Sequence, residues 1–264
     1  MDTFQAIIIA FVEGLTEFLP ISSTAHMKFV HPLLGVTNTP FVDMYEVVIQ
    51  LAAILAVVIL YWKKFFDFKR IGFYIKLIVA VIPALVFGFL LKKHIDAALN
   101  NLTFIACVMV AGGIILLFVD NIFKRPVINS EENMSYKNAF VIGCGQVLSI
   151  IFPGLSRSAA TIITGMSQKL TRSAAAEFSF FLAVPTMLAA SVKSFWDTYK
   201  DNPEVIAKDN LSLLLIGSIV AFLVALIAIK FFISFLKKYG FRIWGIYRII
   251  AGLTMLILIW KNIV

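Results

Sequence analysis

The fold of this chain is decided by residues 13–26, EGLTEFLPISSTAH, where carboxylates, hydroxyls and an imidazole lie in otherwise apolar surroundings. Pro20 stands in the middle of the stretch, which disfavours one continuous helix through it. A polar group in hydrocarbon costs free energy when it lacks a hydrogen-bond partner. Several such groups in one apolar stretch therefore indicate that they have a function. The stretch therefore predicts a helix break with a functional site at the break.

Composition places the chain among polytopic membrane proteins. Of its 264 residues, 61% are hydrophobic and 14% are charged, and the mean hydropathy is +0.94. Soluble domains are about 45–50% apolar and about 25% charged. The length predicts a single integral-membrane domain over residues 1–264. The net charge of +8 indicates topology signals and contact with acidic membrane lipids, and we expect no nucleic-acid partner.

Hydropathy predicts an all-α fold with six full transmembrane helices, since a span needs about 20 apolar residues. Two further apolar segments, at about 4–34 and 139–168, are interrupted at Pro20 and at Pro153-Gly154. Non-helical backbone at membrane depth is tolerated only where protein buries it or where it lines a watery cavity. We interpret both as re-entrant helix–loop–helix hairpins; the alternative is a pair of proline-kinked full spans. The six spans are predicted at about 42–62, 71–91, 102–120, 171–192, 211–236 and 242–260.

Loop charges predict the orientation. Lysine and arginine follow the first, third and fifth spans, whereas the loop at about 193–210 mixes lysines with acidic residues. The positive-inside rule places the three basic loops in the cytoplasm and both termini outside. The hairpins then enter from opposite sides, and their tips meet near the midplane. The basic residues are Lys63, Lys64, Lys69, Arg70, Lys124, Arg125, Lys237, Lys238 and Arg242, and the acidic ones are Asp197, Asp201, Glu204 and Asp209.

The two halves of the chain resemble each other. Pro20-Ile-Ser-Ser is similar to Pro153-Gly-Leu-Ser-Arg-Ser, and a glutamate in a full span follows each, Glu46 and Glu177. With opposite entry sides this predicts an inverted-topology repeat, the first half at about 1–120 and the second at about 136–264. Chance similarity between two apolar stretches is the alternative.

The first polar segment can bind a metal and activate a nucleophile. Glu13 and Glu17 are four positions apart and share one helix face, where two bare carboxylates repel unless a proton or a cation intervenes. Mg²⁺ or Ca²⁺ would suit this pair and bridge to a substrate phosphate; the alternative is a solvated helix end. His26 lies one turn beyond Ser23 and can take its proton, whereas His31 is predicted to be interfacial. Ser22, Ser23 and Thr24 can bind phosphate or cap the helix that restarts there.

The second polar segment can hold a phosphate. Arg157 carries a planar guanidinium that fits phosphate oxygens. The alternative role of this residue is an internal ion pair with Glu13, Glu17 or Glu177. Backbone N–H groups of the helix after Pro153-Gly154 complete an anion site. The hydroxyls predicted to contribute are those of Ser156, Ser158 and Thr161, and weaker candidates are Gln146, Glu46, Gln50 and Glu177.

Residues 13–26 resemble the ExxxE and PxSSTxH signature of the undecaprenyl-pyrophosphate phosphatases, the bacitracin-resistance family. Residues 153–161, PGLSRSAAT, are similar to that family's PGxSRSxxT motif, and the likeness extends in order over nearly the whole chain. The family usually has glycine where this chain has Ala25 and Ala159. An added methyl group restricts the backbone if either position needs a positive φ.

The resemblance implies a phosphatase of the bacterial cytoplasmic (inner) membrane whose active site opens to the outer, periplasmic face. It would hydrolyse undecaprenyl pyrophosphate to undecaprenyl phosphate and inorganic phosphate, recycle the lipid carrier of peptidoglycan synthesis and confer bacitracin resistance. By motif position, Glu13 and Glu17 would serve metal binding or acid–base catalysis, and Arg157 would clamp the phosphate. Ser23, His26 or a water remains open as the nucleophile, and the family depends on a divalent cation.

A transporter is the competing class. Inverted repeats with broken helices at the midplane are typical of secondary transporters, and a polyprenyl-phosphate flippase would need the same anion site. A flippase would need no nucleophile and base, so the Ser-Ser-Thr-x-His cluster favours the enzyme.

Overall fold

The computed structural model describes residues 1–206 and 208–264; the side chains of Asp96, Glu204, Ile206, Lys208 and Asp209 lie outside this description. The described residues are almost entirely helical, with one isolated bridge between Ile128 and Leu170. The helices are α1 (Thr3–Thr16), α2 (Ser23–Leu33), α3 (Pro40–Leu60), α4 (Trp62–Phe65), α5 (Ile71–Leu90), α6 (Lys92–Leu99), α7 (Leu102–Ile122), α8 (Tyr136–Ile151), α9 (Arg157–Ser167), α10 (Arg172–Asp201), a 3₁₀ turn (Pro203–Ile206), α11 (Lys208–Tyr239) and α12 (Arg242–Trp260).

Six of the described helices are long and apolar enough to cross a membrane, which confirms the number of spans predicted from hydropathy. They are α3, α5, α7, α10, α11 and α12. α10 differs from its prediction, because it continues beyond residue 192 to Asp201. A Lys193–Asp197 ion pair of 2.6 Å, one turn apart on the same face, supports this extension. With 30 residues the helix is about 45 Å long, more than a bilayer core of about 30 Å.

Two pairs of shorter helices flank the predicted breaks. α1 and α2 have 14 and 11 residues, and α8 and α9 have 16 and 11. At about 1.5 Å per residue, each is shorter than the hydrocarbon core. The chain leaves helical geometry after Thr16 and after Ile151, and it resumes at Ser23 and at Arg157. The polar residues of both segments therefore lie in the short loops 17–22 and 152–156 or in the helix turns that border them.

Close helix crossings bring these short pairs against the long helices. α1 packs on α11, and α8 packs on α5. In each crossing a glycine faces an alanine carbonyl: Gly14 meets Ala221, and Gly143 meets Ala80. A Cβ at either glycine would collide with that carbonyl oxygen, so both crossings need a residue without a side chain.

A buried aromatic cluster holds the first loop, residues 17–22 between α1 and α2, against α10. Phe18 lies between α1 and α2 and packs edge-to-face on Phe180 of α10, with ring centroids 5.2 Å apart. The neighbouring Phe181 contacts Tyr61 and Phe73 in the same geometry. Aromatic pairs in this arrangement contribute beyond their buried area. Because the three phenylalanines Phe18, Phe180 and Phe181 are fully buried, they fix the loop against α10.

Candidate active site

The two polar segments meet at the carboxylate of Glu17. Its Oε2 atom accepts a 2.6 Å hydrogen bond from the Ser23 hydroxyl. Its Oε1 atom accepts a 2.8 Å hydrogen bond from Nη2 of Arg157, which lies 140 positions further along the chain. Hydrogen bonds to ionised groups at these distances are among the stronger ones in proteins. One carboxylate therefore joins a potential nucleophile to a guanidinium, and the Arg157 ion pair named above as an alternative is present.

The Arg157 guanidinium is held on two sides and keeps one donor free. Nη1 donates a 3.1 Å hydrogen bond to the Ser179 carbonyl, in addition to the Nη2 contact with Glu17. The buried Nε atom has no hydrogen-bond partner among the described residues. An unsatisfied buried N–H is costly, and a phosphoryl oxygen would satisfy it.

The starts of α2 and α9 are built in the same way. Ser22 and Ser156 precede these helices with φ values of 72° and 76°, in the left-handed region that non-glycine residues rarely adopt. Each serine hydroxyl accepts a 3.3 Å hydrogen bond from the N–H three residues on, that of Ala25 or Ala159. A cap of this kind satisfies one of the first four N–H groups of a helix. The remaining N–H groups and the positive end of each helix dipole favour an anion.

These groups surround a cavity of about 210 Å³. It receives residues from the loops 17–22 and 152–156 and from α2, α3, α6, α8, α9 and α10. Predicted residues in the wall are therefore able to contact a ligand directly. The lining residues are Glu17, Ser22, Ser23, Thr24, Gln50, Ile95, Leu99, Ser149, Ile150, Pro153, Gly154, Ser156, Arg157 and Met187.

Glu13 lies outside the wall of this cavity. It is fully buried, and neither of its carboxylate oxygens has a hydrogen-bond partner among the described residues. The charges acting on it include the repulsive ones of Glu17 and Glu46 and the attractive one of Arg157. Two buried carboxylate oxygens without a partner, one turn from Glu17, are donors of the type that hard divalent cations bind. In the described part of the chain, no group of three or more His, Cys, Asp or Glu side chains is arranged to hold a metal alone.

His26 faces away from the Ser23 hydroxyl. Its Nδ1 atom lies 2.7 Å from the Ser22 carbonyl oxygen, which can only accept, so Nδ1 carries the proton. Its Nε2 atom lies 2.7 Å from the Tyr247 hydroxyl, which donates to it in the neutral ring. The two rings also stack at a centroid distance of 5.7 Å. The proton acceptor that contacts Ser23 is therefore Glu17, whereas the sequence suggested His26.

The hydroxyls of the second segment mostly hold the loops in place. Ser158 donates a 2.8 Å hydrogen bond to the Leu19 carbonyl of the first loop and is fully buried. Thr161 donates to the Arg157 carbonyl and lies 2.6 Å from the Ser179 hydroxyl. Neither lines the cavity, whereas Ser156 does. Phosphate binding by Ser158 and Thr161 stays a prediction, and their observed contacts are structural.

The weaker candidates separate in space. Gln50 lines the cavity, and Gln146 is buried behind it, with its amide 3.3 Å from Thr186. Glu46 lies 3.5 Å from Lys28 and 3.3 Å from His31, and this histidine is buried within the protein. Glu177 pairs with Lys64 at 3.3 Å and does not line the cavity.

Comparison with known proteins decides the family. A family model described as bacitracin resistance protein BacA matches residues 6–254. The chain belongs to this family. The undecaprenyl-diphosphatase of Flavobacterium psychrophilum is 52% identical over 258 residues, which cover 98% of this chain and 96% of that protein. The undecaprenyl-diphosphatase of Porphyromonas gingivalis strain W83 is 46% identical over 279 residues, which cover 100% of this chain and 99% of that protein. The undecaprenyl-diphosphatase of Bdellovibrio bacteriovorus is 42% identical over 264 residues, which cover 99% of this chain and 98% of that protein.

Membership of the BacA family and the six apolar helices together make the chain a multi-pass membrane protein. The two alanines that depart from the usual family glycines are accommodated. Ala25 and Ala159 lie in the first turns of α2 and α9, and neither has a positive φ. The left-handed positions belong instead to the serines three residues earlier, so the added methyl groups meet no backbone restriction there.

Sequence reasoning missed Arg248, the most connected residue near the site of this BacA-family chain. It is fully buried in α12, and its guanidinium donates to main-chain carbonyls on three separate segments. The acceptors and distances are Pro20 at 3.0 Å, Leu155 at 2.6 Å, Gly154 at 2.8 Å and Met109 at 3.2 Å. Arg248 therefore ties both loops to each other and to α7. Its unpaired charge in an apolar span was the available signal, because such a charge needs a buried partner.

Proposed function

We propose that this chain hydrolyses undecaprenyl pyrophosphate to undecaprenyl phosphate and inorganic phosphate in the bacterial inner membrane. The reaction would recycle the lipid carrier of peptidoglycan synthesis and confer resistance to bacitracin. The observation that carries the proposal is the shared contact of Ser23 and Arg157 with Glu17 in one cavity. The names of the relatives favour the enzyme over the transport alternative.

The geometry supports Ser23 as the nucleophile. Its hydroxyl already donates to Glu17 at 2.6 Å, so this carboxylate can take the proton as Oγ attacks the terminal phosphorus. The bond from that phosphorus to the bridging oxygen breaks, and undecaprenyl phosphate leaves. Water then attacks the phosphoserine, inorganic phosphate is released, and Glu17 returns the proton to Ser23. The sum is one water consumed for one phosphoanhydride bond broken.

Arg157 and the two helix starts would stabilise the transition state. In phosphoryl transfer the charge spreads over the three equatorial oxygens, and catalysis is mostly positioning and electrostatics. The guanidinium of Arg157, a cavity-lining residue, and the N–H groups at the start of α2 and α9 would be donors that the fold holds in place before the substrate binds. His26 would position the first loop through the Ser22 carbonyl rather than accept the serine proton.

We also propose that Glu13 and Glu17 hold a divalent cation, Mg²⁺ or Ca²⁺, together with the substrate. The support is the donor chemistry: Glu13 has two buried oxygens without a partner, and Glu17 faces the cavity. Mg²⁺ is commonly bound by one or two carboxylates and substrate phosphates. Such an ion would supply neutralisation of charge on the pyrophosphate.

We propose an inverted-topology repeat with re-entrant hairpins as the scaffold. Several matched features support it: the loop serines Ser22 and Ser156 share a rare backbone conformation, and α2 and α9 both have 11 residues. The α1–α11 crossing also has its counterpart in α8–α5, each with a glycine against an alanine carbonyl. In such a repeat, the first helix of each hairpin packs against a long helix of the other half, α1 against α11 and α8 against α5. The two loops would then meet at the repeat interface.

The cavity would open to the periplasmic face. Ile95 and Leu99 of α6 contribute to its wall, and α6 connects α5 to α7. The positive-inside rule puts the opposite ends of α5 and α7, with Arg70 and Lys124 beside them, in the cytoplasm. The α6 side would accordingly be external, where the pyrophosphate is exposed.

The test is phosphate release from undecaprenyl pyrophosphate by purified protein in detergent. Ser23→Ala should lower the rate by about 10²–10⁴-fold, the range expected when a nucleophile and its proton transfer are lost. Ser234→Ala is the matched control, because this exposed hydroxyl only donates to the Lys230 carbonyl on its own helix. Equal rates for Ser23→Ala and wild type would remove the serine from the mechanism, and no turnover by wild type would refute the proposed function.

A further inference from the structure

A second cavity shares no lining residue with the candidate active site. Its volume is about 430 Å³, and it forms where α7 and α11 end and α10 begins. These are the helix ends that the positive-inside rule places in the cytoplasm. The lining residues are Asp120, Phe123, Lys124, Pro126, Met166, Leu170, Thr171, Arg172, Ser173 and Lys237.

The walls of this cavity carry a surplus of positive charge. Asp120 is its only lining carboxylate among the described residues, and it is already neutralised. Arg172 approaches it to 2.7 Å, and the Phe241 N–H donates to its other oxygen at 2.7 Å. Lys124 and Lys237 make no ion pair within the described part of the chain. Two uncompensated lysines that face one cavity favour an anionic ligand.

The rest of the wall suits a headgroup attached to acyl chains. Met166 and Leu170 are buried and form an apolar floor, and Thr171 and Ser173 add hydroxyls at the start of α10. Ile122, two positions before Lys124 in the chain, and Ile243, next to Arg242 at the start of α12, are exposed. A soluble anion would gain nothing from these surfaces, whereas the chains of a phospholipid would cover them.

We infer that this cavity binds the phosphate-bearing headgroup of an anionic phospholipid from the leaflet on that side. The lysines contact the phosphate, and the acyl chains lie against the exposed apolar side chains. The inference concerns a different part of the molecule from the proposed phosphatase site and holds whether or not that proposal is correct.

The experiment is native mass spectrometry of the purified protein in neutral detergent, titrated with phosphatidylglycerol or with phosphatidylcholine of the same chains. We expect wild type to retain one phosphatidylglycerol in preference to phosphatidylcholine. A lysine near an anionic lipid contributes roughly fivefold, so Lys124→Gln with Lys237→Gln should weaken this binding by about 30-fold. The matched control, Arg125→Gln with Lys238→Gln, removes the neighbouring charges that do not line the cavity and should bind nearly as wild type.

Three results would overturn the inference. Equal retention of both lipids would show that the headgroup charge does not contribute to binding. Equal weakening by the two double variants would assign the binding to the basic face in general. Competition by millimolar inorganic phosphate as strong as that by phosphatidylglycerol would make the site one for a soluble anion. The melting temperature of each variant, measured without added lipid, verifies that it is folded.

Discussion

Replacing Arg157 by lysine keeps the positive charge and removes the planar guanidinium with its several N–H donors. In the structure Nη2 contacts Glu17 at 2.8 Å, Nη1 contacts the Ser179 carbonyl at 3.1 Å, and the buried Nε has no partner among the described residues. A lysine ammonium is a single point of donation at the end of a flexible stem, so it cannot serve all three directions. The variant must give up either the Glu17 contact or the contact with the phosphate.

The size of the defect follows from these contacts. A hydrogen bond to a charged group contributes about 1.5–3 kcal/mol, which at about 1.36 kcal/mol per factor of ten is roughly 10- to 150-fold in rate. Losing the orientation of Glu17 as well brings the expected loss to about 10²–10³-fold, the range seen when one preorganised donor is removed. The loss should fall on kcat more than on KM, because the charge spreads over the phosphoryl oxygens only in the transition state.

The assay is steady-state phosphate release from undecaprenyl pyrophosphate in matched detergent, with the melting temperature as a check on folding. Arg242→Lys is the control, since this exposed arginine at the start of α12 does not line the cavity. A near wild-type kcat for Arg157→Lys would refute the phosphate clamp and leave Arg157 as a structural partner of Glu17. A change confined to KM would restrict it to substrate binding.

Three further predictions test other parts of the molecule. Arg248→Met should lower both the melting temperature and kcat, because four main-chain carbonyls lose their donor. Unchanged values would show that the two loops keep their conformation without Arg248. Excess chelator should abolish phosphate release by wild type and added Mg²⁺ or Ca²⁺ should restore it, whereas full turnover in chelator would remove the metal. Burial raises the pKa of Glu131, but hydrogen bonds from Arg70 and Lys64 outweigh it and hold this pKa below 4.5. The stability that Glu131 adds is therefore complete above pH 4.5 and lost as the pH falls through the folded-state pKa, so Glu131→Gln should flatten the acid decline in melting temperature; parallel declines would contradict this.

The fold was predictable where hydropathy and proline determine it. Six apolar segments became six long helices, and the interruptions at Pro20 and Pro153-Gly154 became helix breaks. The short helices α4 and α6 were not predicted, since four and eight residues carry too little periodicity to be recognised. The end of α10 was missed because a polar extension such as Lys193–Asp197 looks like a loop in a hydropathy profile.

The site was predictable as a set of residues but less so as a set of contacts. Spacing on a helix indicates which residues share a face, and on that ground the sequence paired Glu13 with Glu17. The Ser23–Glu17 hydrogen bond crosses the helix break and was not predicted. Spacing also paired Ser23 with His26, whose actual partner Tyr247 lies 221 positions away on α12. Contacts over such a distance are set by helix packing, so no local pattern reveals them. The partners of the fully buried Arg248 were hidden for the same reason, although its charge within an apolar span was visible in the sequence.

The acceptors of Arg248 set how freely the two loops can change in evolution. All four are main-chain carbonyls, including those of Pro20 and Leu155, and every amino acid supplies a carbonyl. A substitution at Leu155 can therefore change the side chain of the second loop while its hydrogen bond from Arg248 survives, whereas Gly154, with a φ of 99° and the Ile105 carbonyl oxygen 2.5 Å from any added Cβ, cannot accept a side chain. The Glu17–Arg157 contact has no such latitude, because both partners are side chains. A change at Leu155 should accordingly be tolerated, whereas a change at Glu17 or Arg157 removes the contact that joins the two loops.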